Sequence, residues 1–226
     1  MEGGARLELG AIFTETNMEQ TQVDKYQELM EVIRSRFDSI DALSKIGFDN
    51  FNNTEMAAFH GRKIIEGIAF ACLIATKNGF KTIPRDAEGQ YNAEKILKTL
   101  LRKGIETFPS QSIIRNTTEE EEKIYNAKVT VEGVAERRIT QEEVVKKYQR
   151  LHNWAHELNP YVKEGHFEFN QKHREQLEKD LAELKSFLDK HFISINGVGF
   201  FCVLKDDVDG KTKVVSLSKT EDLPED

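Results

Sequence analysis

The side chains of this chain that are best suited to chemistry are concentrated between Tyr148 and Tyr161, in the stretch YQRLHNWAHELNPY. The stretch contains the single tryptophan and two of the six histidines, together with an arginine and a proline. Arginine binds phosphate through a planar fork of N–H donors, and histidine exchanges protons near neutral pH. This combination indicates either a site that handles phosphate groups or a site that binds a metal ion.

A metal site would use His152 and His156, which are four residues apart and therefore share one face of a helix. This spacing suits zinc, with a third ligand supplied by Glu157, His60 or His166. In the competing interpretation one imidazole is exposed, the other forms a hydrogen bond inside the protein, and neither has a function. The residues alone leave both interpretations open.

A third interpretation rests on Arg150 and His156, which have five residues between them. Here the chain resembles the HEPN superfamily, whose nuclease members carry an R-x4-6-H motif near the end of a helix. The resemblance covers residues 24–190 and includes an up-and-down helical core with an apolar second helix. The chain departs from the pattern at Leu151, where many members have a polar residue. Because Arg150 and His156 do not share a face of a straight helix, the helix must unwind near His156, as Pro160 favours.

The resemblance implies a metal-independent endoribonuclease without a cofactor, acting in toxin–antitoxin systems or phage defence. In such an enzyme the RNA 2′-hydroxyl attacks the phosphate, His156 acts as acid or base, and Arg150 holds the phosphate. Two motifs meet across a dimer interface in such families, so a homodimer is expected, with RNA and an antitoxin or other protein as partners. The alternative is a catalytically silent HEPN-like module that binds a nucleotide or a protein.

Further side chains are predicted to bind the substrate, namely Arg62, Glu66, Lys147, His152, Asn153 and Asn159. Those near the motif add positive charge for the RNA backbone or orient a phosphate or ribose. Arg62 and Glu66 lie four apart on the predicted second helix, so they either pair with each other or line a polar cleft.

The elements that must position these residues are predicted to be mainly helices. Hydrophobic periodicity predicts about five helices, at residues 24–46, 54–77, 93–103, 140–158 and 171–190. Asn92 is expected to cap the third helix, Thr140 and Glu143 form a capping box at the start of the fourth, and Asn170 is expected to begin the fifth. The predicted fold class is therefore mainly α, an up-and-down helical bundle with a small C-terminal β-hairpin.

The β-hairpin is predicted within residues 192–220, where GFFCVL and KVVSL are typical of strands and flank an Asp-Gly turn. An isolated hairpin is marginally stable in water, so it should dock on the helices. The other predicted divisions are a poorly ordered leader (1–20), the HEPN-like helical domain (21–191) and a frayed tail (221–226).

Composition limits the remaining function classes. The net charge of −7 excludes a general polyanion binder, so a nucleic-acid site would have to be a local basic patch. Cys72 and Cys202 lie in apolar surroundings without metal-binding spacing, which is typical of reduced thiols and predicts a cytoplasmic protein. No apolar run approaches the roughly 18 residues of a membrane span, so no membrane partner is expected.

Overall fold

The computed structural model describes residues 11–15, 20–134, 139–156, 161 and 165–219. Within these residues a layer of helices packs against a closed antiparallel β-barrel. The helices are α1 (Gln20–Ile46), α2 (Phe51–Phe80), α3 (Arg85–Glu88), α4 (Ala93–Arg102), α5 (Glu119–Tyr125), α6 (Gln141–Asn153) and α7 (His166–Asp189). The strands are β1 (Ala11–Glu15), β2 (Ser110–Asn116), β3 (Val129–Gly133), β4 (Lys190–Ile195), β5 (Val198–Val203) and β6 (Lys213–Lys219).

Helix α2 is the centre of the helical layer, as its nearly all-round apolar sequence predicts. Helices α1, α4, α6 and α7 all contact it. Gly67 permits the approach of α1, since a Cβ at this position would lie 2.8 Å from Ile33 Cδ1. Among the described helices, none has both the length and the apolar character needed to cross a membrane.

Local signals correctly predicted two helix starts. The Asn92 side chain accepts a hydrogen bond from the Lys95 amide, and Thr140 and Glu143 form the reciprocal capping box. The prediction for α7 was wrong, because this helix begins at His166 rather than near Asn170. The Asn170 amide instead donates hydrogen bonds of 3.0 and 3.2 Å to the carbonyls of the loop between α1 and α2.

The six strands form a barrel in the order β1-β3-β2-β4-β5-β6, and β1 also pairs with β6. All the pairs are antiparallel, and each strand has two neighbours, so the sheet closes on itself. The barrel interior contains one cluster of buried residues, Val131, Phe192, Phe201 and Leu217. Alternate residues of β4 and β5 point outward and join the core of the helical layer, namely Ile193, Phe200 and Cys202. Strands β4 and β5 therefore contribute side chains both to the barrel interior and to the core of the helical layer.

The predicted fold class of a mainly α, all-helical bundle with a small C-terminal hairpin is wrong. The three C-terminal strands exist, but they belong to a barrel that also contains β1, β2 and β3. Strand β1 lies within the stretch predicted to be a poorly ordered leader, and residues 221–226 lie outside the described residues. Strand β2 pairs with the distant β4, for example at Ser110 and Phe192. Because such short strands are stabilised mainly by pairing with remote segments, their own sequence is a weak signal.

Candidate functional site

Helix α6 and the turn that follows it carry the predicted motif. Helical structure ends at Asn153, and a turn leads to His156. The helix was predicted to end near Leu158, so that boundary is wrong by five residues. His156 lies beyond the helix, in keeping with the unwinding near His156 that the HEPN resemblance requires. The predicted phosphate or ribose contact Asn159 lies outside the described residues.

Trp154 anchors this turn in the core. Its side chain is buried, and its ring lies 5.9 Å from that of Phe51 and 4.8 Å from that of Phe169. These two partners belong to α2 and α7, so Trp154 fixes the end of α6 against both helices. The ring is therefore occupied by packing rather than available for stacking on a nucleic-acid base.

The Arg150 guanidinium is held by Asp180 on α7. Its Nε donates to Asp180 Oδ2 and its Nη2 donates to Oδ1, each at 2.7 Å. The buried Lys147 ammonium donates to Asp180 Oδ1 at 3.0 Å and also to Glu183. Burial alone would raise the pKa of Asp180, but the hydrogen bonds from Arg150 and Lys147 lower it overall. Lys147 and Arg150 thus neutralise a buried carboxylate, and Arg150 would have to release Asp180 to bind a phosphate through both donors.

His156 contacts His152 rather than Arg150. The two Nε2 atoms lie 3.0 Å apart, and the ring planes are inclined by 76°. Because one of the facing nitrogens must donate and the other accept, only one of them carries a proton. Burial lowers the pKa of His152, and the charges of Arg62 and His156 lower it further. The pair therefore favours a neutral His152 at neutral pH.

The structure places Arg150 and His156 in different surroundings. Arg150 and Asn153 line a small cavity of about 180 Å³ against α7, and His156 is not among the residues around it. No hydrogen bond or ion pair joins Arg150 to His156 within the described part of the chain. His152 is instead close enough to Arg62 on α2 for the arginine charge to lower its pKa.

Within the described residues, neither His60 nor His166 joins His152 and His156 in a metal-binding group. Glu157 lies outside the described residues, and His166 stacks on Phe51 with ring centroids 4.3 Å apart. His60, the remaining candidate ligand, is on α2, where burial lowers its pKa and the charge of Arg36 lowers it further. Among residues whose positions are described, no group of three histidine, cysteine or acidic side chains is arranged to hold a metal ion.

A larger cavity, of about 530 Å³, lies over α2 between α1 and α6, and we call it the α2 cavity. The start of α4 also contributes to it. Leu29, Val32 and Ile33 of α1 form an apolar wall. The polar lining comes from Arg36, which is also on α1, and from Arg62, Lys63, Glu66, Tyr91, Asn92 and Tyr148. Arg62 and Glu66, which the sequence analysis singled out, therefore do line a cleft.

Glu66 is the centre of a polar network in the α2 cavity. Its Oε1 accepts a hydrogen bond of 3.3 Å from the Tyr148 hydroxyl, and its Oε2 accepts one of 2.7 Å from Lys63. Arg62 Nε lies 3.4 Å from Oε1, and Arg62 Nη2 donates to the Tyr148 hydroxyl at 3.4 Å. The Arg62 guanidinium also lies over the Tyr148 ring, 5.3 Å from its centroid. The two alternatives for Arg62 and Glu66 are thus both realised: they form an ion pair, and that pair faces a cavity.

The charges around the α2 cavity do not balance. Arg36, Arg62 and Lys63 contribute three positive charges against the single carboxylate of Glu66. Within the described residues no ion pair joins Arg36 to a carboxylate. Arg62 Nε is buried without a hydrogen-bond partner. The cavity therefore offers excess positive charge and an unsatisfied arginine nitrogen in a protein whose net charge is −7.

Arg36, Lys63 and Tyr91 were missed by the sequence analysis. Lys63 lies three residues before Glu66, and this spacing could have placed it in the same cleft. Arg36 lacks such a signal, because its role depends on how α1 packs against α2. Tyr148 was predicted only as a residue of the motif helix.

No family model, curated protein or solved structure matched the chain. Membership of the HEPN superfamily therefore stays a prediction that rests on the sequence motif.

Proposed function

We propose that this chain is a binding module for a small phosphate-bearing ligand, of nucleotide size, that occupies the α2 cavity. The observation that carries the proposal is the excess of cationic side chains around one buried carboxylate in a cleft that opens to solvent. The volume of about 530 Å³ lies within the roughly 300–1,000 Å³ that is usual for small-molecule sites.

The phosphate and the base of a nucleotide each have a suitable counterpart in the α2 cavity. Arg36 and Lys63 supply donors for phosphate oxygens, and Arg62 adds a fork that Tyr148 and Glu66 already orient. The Tyr91 ring is 82% exposed, so it can stack on a heterocyclic base without first leaving the core. The apolar side chains of α1 cover the opposite wall.

The test is calorimetric titration of the protein with AMP, ATP, adenosine and inorganic phosphate. We expect the nucleotides to bind more tightly than adenosine, because adenosine lacks the group that Arg36 and Lys63 would contact. Binding of AMP should weaken as salt is added, since ions screen a partly exposed charged site. Bound nucleotide should also raise the Tm, because it binds only the folded state.

Variants locate the binding site. Arg36→Gln and Arg62→Gln should each weaken AMP binding by about 10- to 100-fold, which corresponds to the roughly 1.5–3 kcal/mol of a hydrogen bond to a charged group. Arg102→Gln is the matched control, because Arg102 is an exposed arginine that pairs with Asp86 on the surface. Equal AMP affinity in wild type and Arg36→Gln, or no binding of any of these nucleotides, would disprove the proposal.

The ribonuclease that the HEPN resemblance implies is a second candidate, supported by the contact between His152 and His156 beside Arg62. In that hypothesis a phosphate must displace Asp180 from Arg150, which would draw the arginine into the site. The predicted homodimer, the RNA and protein partners and the cytoplasmic location belong to this candidate. Light scattering that shows only monomer at micromolar concentration would contradict the dimer and with it the composite site.

A further inference from the structure

We infer that His152 and His156 bind a divalent late first-row transition-metal ion, with Cu²⁺ and Ni²⁺ as the ions that the geometry fits best. The inference is independent of the nucleotide proposal, because it concerns the two imidazoles at the end of α6 rather than the lining of the α2 cavity. It also does not require catalytic activity.

The distance between the two imidazoles carries the inference. Their Nε2 atoms lie 3.0 Å apart, which is close enough for both nitrogens to bind one ion after a small rotation of the rings. Two nitrogens bound to one ion at roughly 2.0–2.1 Å lie about 2.9 Å apart when the angle at the metal is 90°. At a tetrahedral angle the same bond lengths place them roughly 3.3–3.4 Å apart. The observed separation is therefore close to a right-angled chelate and needs only a small widening for a tetrahedral one.

The two imidazole ligands, and the angle that their nitrogens would form at the metal, indicate the type of ion. Imidazole suits Cu²⁺, Ni²⁺ and Zn²⁺, and right angles between ligands are typical of tetragonal Cu²⁺ and Ni²⁺ sites. Affinity for such ligands generally rises from Ni²⁺ to Cu²⁺ and falls again at Zn²⁺. His152 and His156 supply two ligands, and the other coordination positions are open to water or to an exogenous group.

The chain segments that hold the pair favour a stable chelate. His152 belongs to the last turn of α6, and the buried Trp154 fixes the turn between the two histidines. The nearby positive charge of Arg62 opposes a bound cation, so its removal should strengthen metal binding.

The experiment uses untagged full-length protein that has been treated with a chelator and dialysed. Titration with Cu²⁺ should show one ion per chain, and electron paramagnetic resonance should show coupling to two imidazole nitrogens. His152→Ala and His156→Ala should each reduce that coupling to at most one nitrogen. Each should also weaken Cu²⁺ binding by at least about tenfold, the lower end of what loss of an outer-shell partner costs.

Two further variants separate this site from nonspecific binding. His166→Ala removes another exposed histidine and should leave the stoichiometry and the spectrum unchanged. Arg62→Gln should increase Cu²⁺ affinity, because it removes the positive charge next to His152. Two-nitrogen coupling that persists in His156→Ala, or wild-type protein that binds no ion stoichiometrically, would overturn the inference.

Discussion

The contact between Tyr26 and His191 predicts that acid destabilises this protein. His191 on β4 and Tyr26 on α1 are both fully buried, and the Tyr26 hydroxyl lies 2.8 Å from His191 Nε2. His191 Nδ1 lies 2.9 Å from the Leu188 carbonyl oxygen, which can only accept a hydrogen bond. Nδ1 therefore carries the proton, and Nε2 accepts from the tyrosine. This neutral imidazole joins the helical layer to the barrel, and a second proton on Nε2 would have to displace the hydrogen bond that Nε2 accepts from Tyr26.

The pKa of His191 gives the size of the effect. Burial lowers this pKa from 6.5 to about 4. At about 1.36 kcal/mol per pKa unit, the difference between the unfolded and the folded pKa of His191 corresponds to about 3 kcal/mol of unfolding free energy. Because the folded pKa lies below the unfolded one, the contribution is complete above pH 6.5 and decreases as the pH falls towards 4. At pH 5 about 2 kcal/mol should already be lost.

The assay is urea unfolding between pH 7.5 and pH 4.5, followed by the fluorescence of the buried Trp154. The comparison is a double variant, Tyr26→Phe with His191→Asn. The asparagine amide can still donate to the Leu188 carbonyl, and the phenylalanine removes the hydroxyl that would otherwise lose its acceptor. Other titrating groups contribute to both proteins, so the difference between the two pH profiles isolates His191.

We expect the wild type to lose about 2 kcal/mol more than the double variant between pH 7 and pH 5. Parallel pH profiles would refute the reasoning. So would a directly measured His191 pKa near 6.5 in the folded protein, for example from the NMR signal of the imidazole.

Three other predictions follow from single contacts. If the ribonuclease hypothesis is right, His156→Ala should lower cleavage of labelled RNA by about a hundredfold to ten-thousandfold, whether or not EDTA is present; cleavage equal to wild type would place the activity elsewhere. Asp180→Asn should cost about 3–5 kcal/mol in urea unfolding, because it removes the buried carboxylate that Lys147 and Arg150 share and leaves Lys147 only the partly exposed Glu183; a cost below about 1 kcal/mol would contradict this. Gly199→Ala should cost about 1–3 kcal/mol, since its Cβ would lie 2.3 Å from a carbonyl oxygen of β4. Gly133→Ala, which meets no atom within 4 Å, is the control and should leave the Tm nearly unchanged.

The helices that carry the candidate sites could be predicted from the sequence because their signals are local. A capping box needs only Thr140 and Glu143, three residues apart, and the apolar stripe of α1 repeats every three or four residues. The same local spacing correctly placed His152 and His156 side by side and joined Arg62 to Glu66.

The barrel could not be predicted in this way. Strands β2 and β4 pair across a long interval of sequence, at Ser110 with Phe192 and at Gln111 with His191. The buried face of each strand is set by the strands and helices that pack against it, and β5 has apolar residues on both its interior and its exterior face. A continuous apolar strand of this kind shows no alternation that would mark a barrel.

The sequence by itself determined which side chains share a helix face, because a turn of helix brings together residues three and four positions apart. The tertiary structure decided which charged groups lie next to each of these side chains. Arg150 was predicted to hold a phosphate, yet its carboxylate partner Asp180 comes from another helix. Arg36 had no assigned role, yet the packing of α1 on α2 places it beside Arg62 in one cavity. Attraction between charges depends on their separation in space, and for groups on different helices that separation is set by how the helices pack.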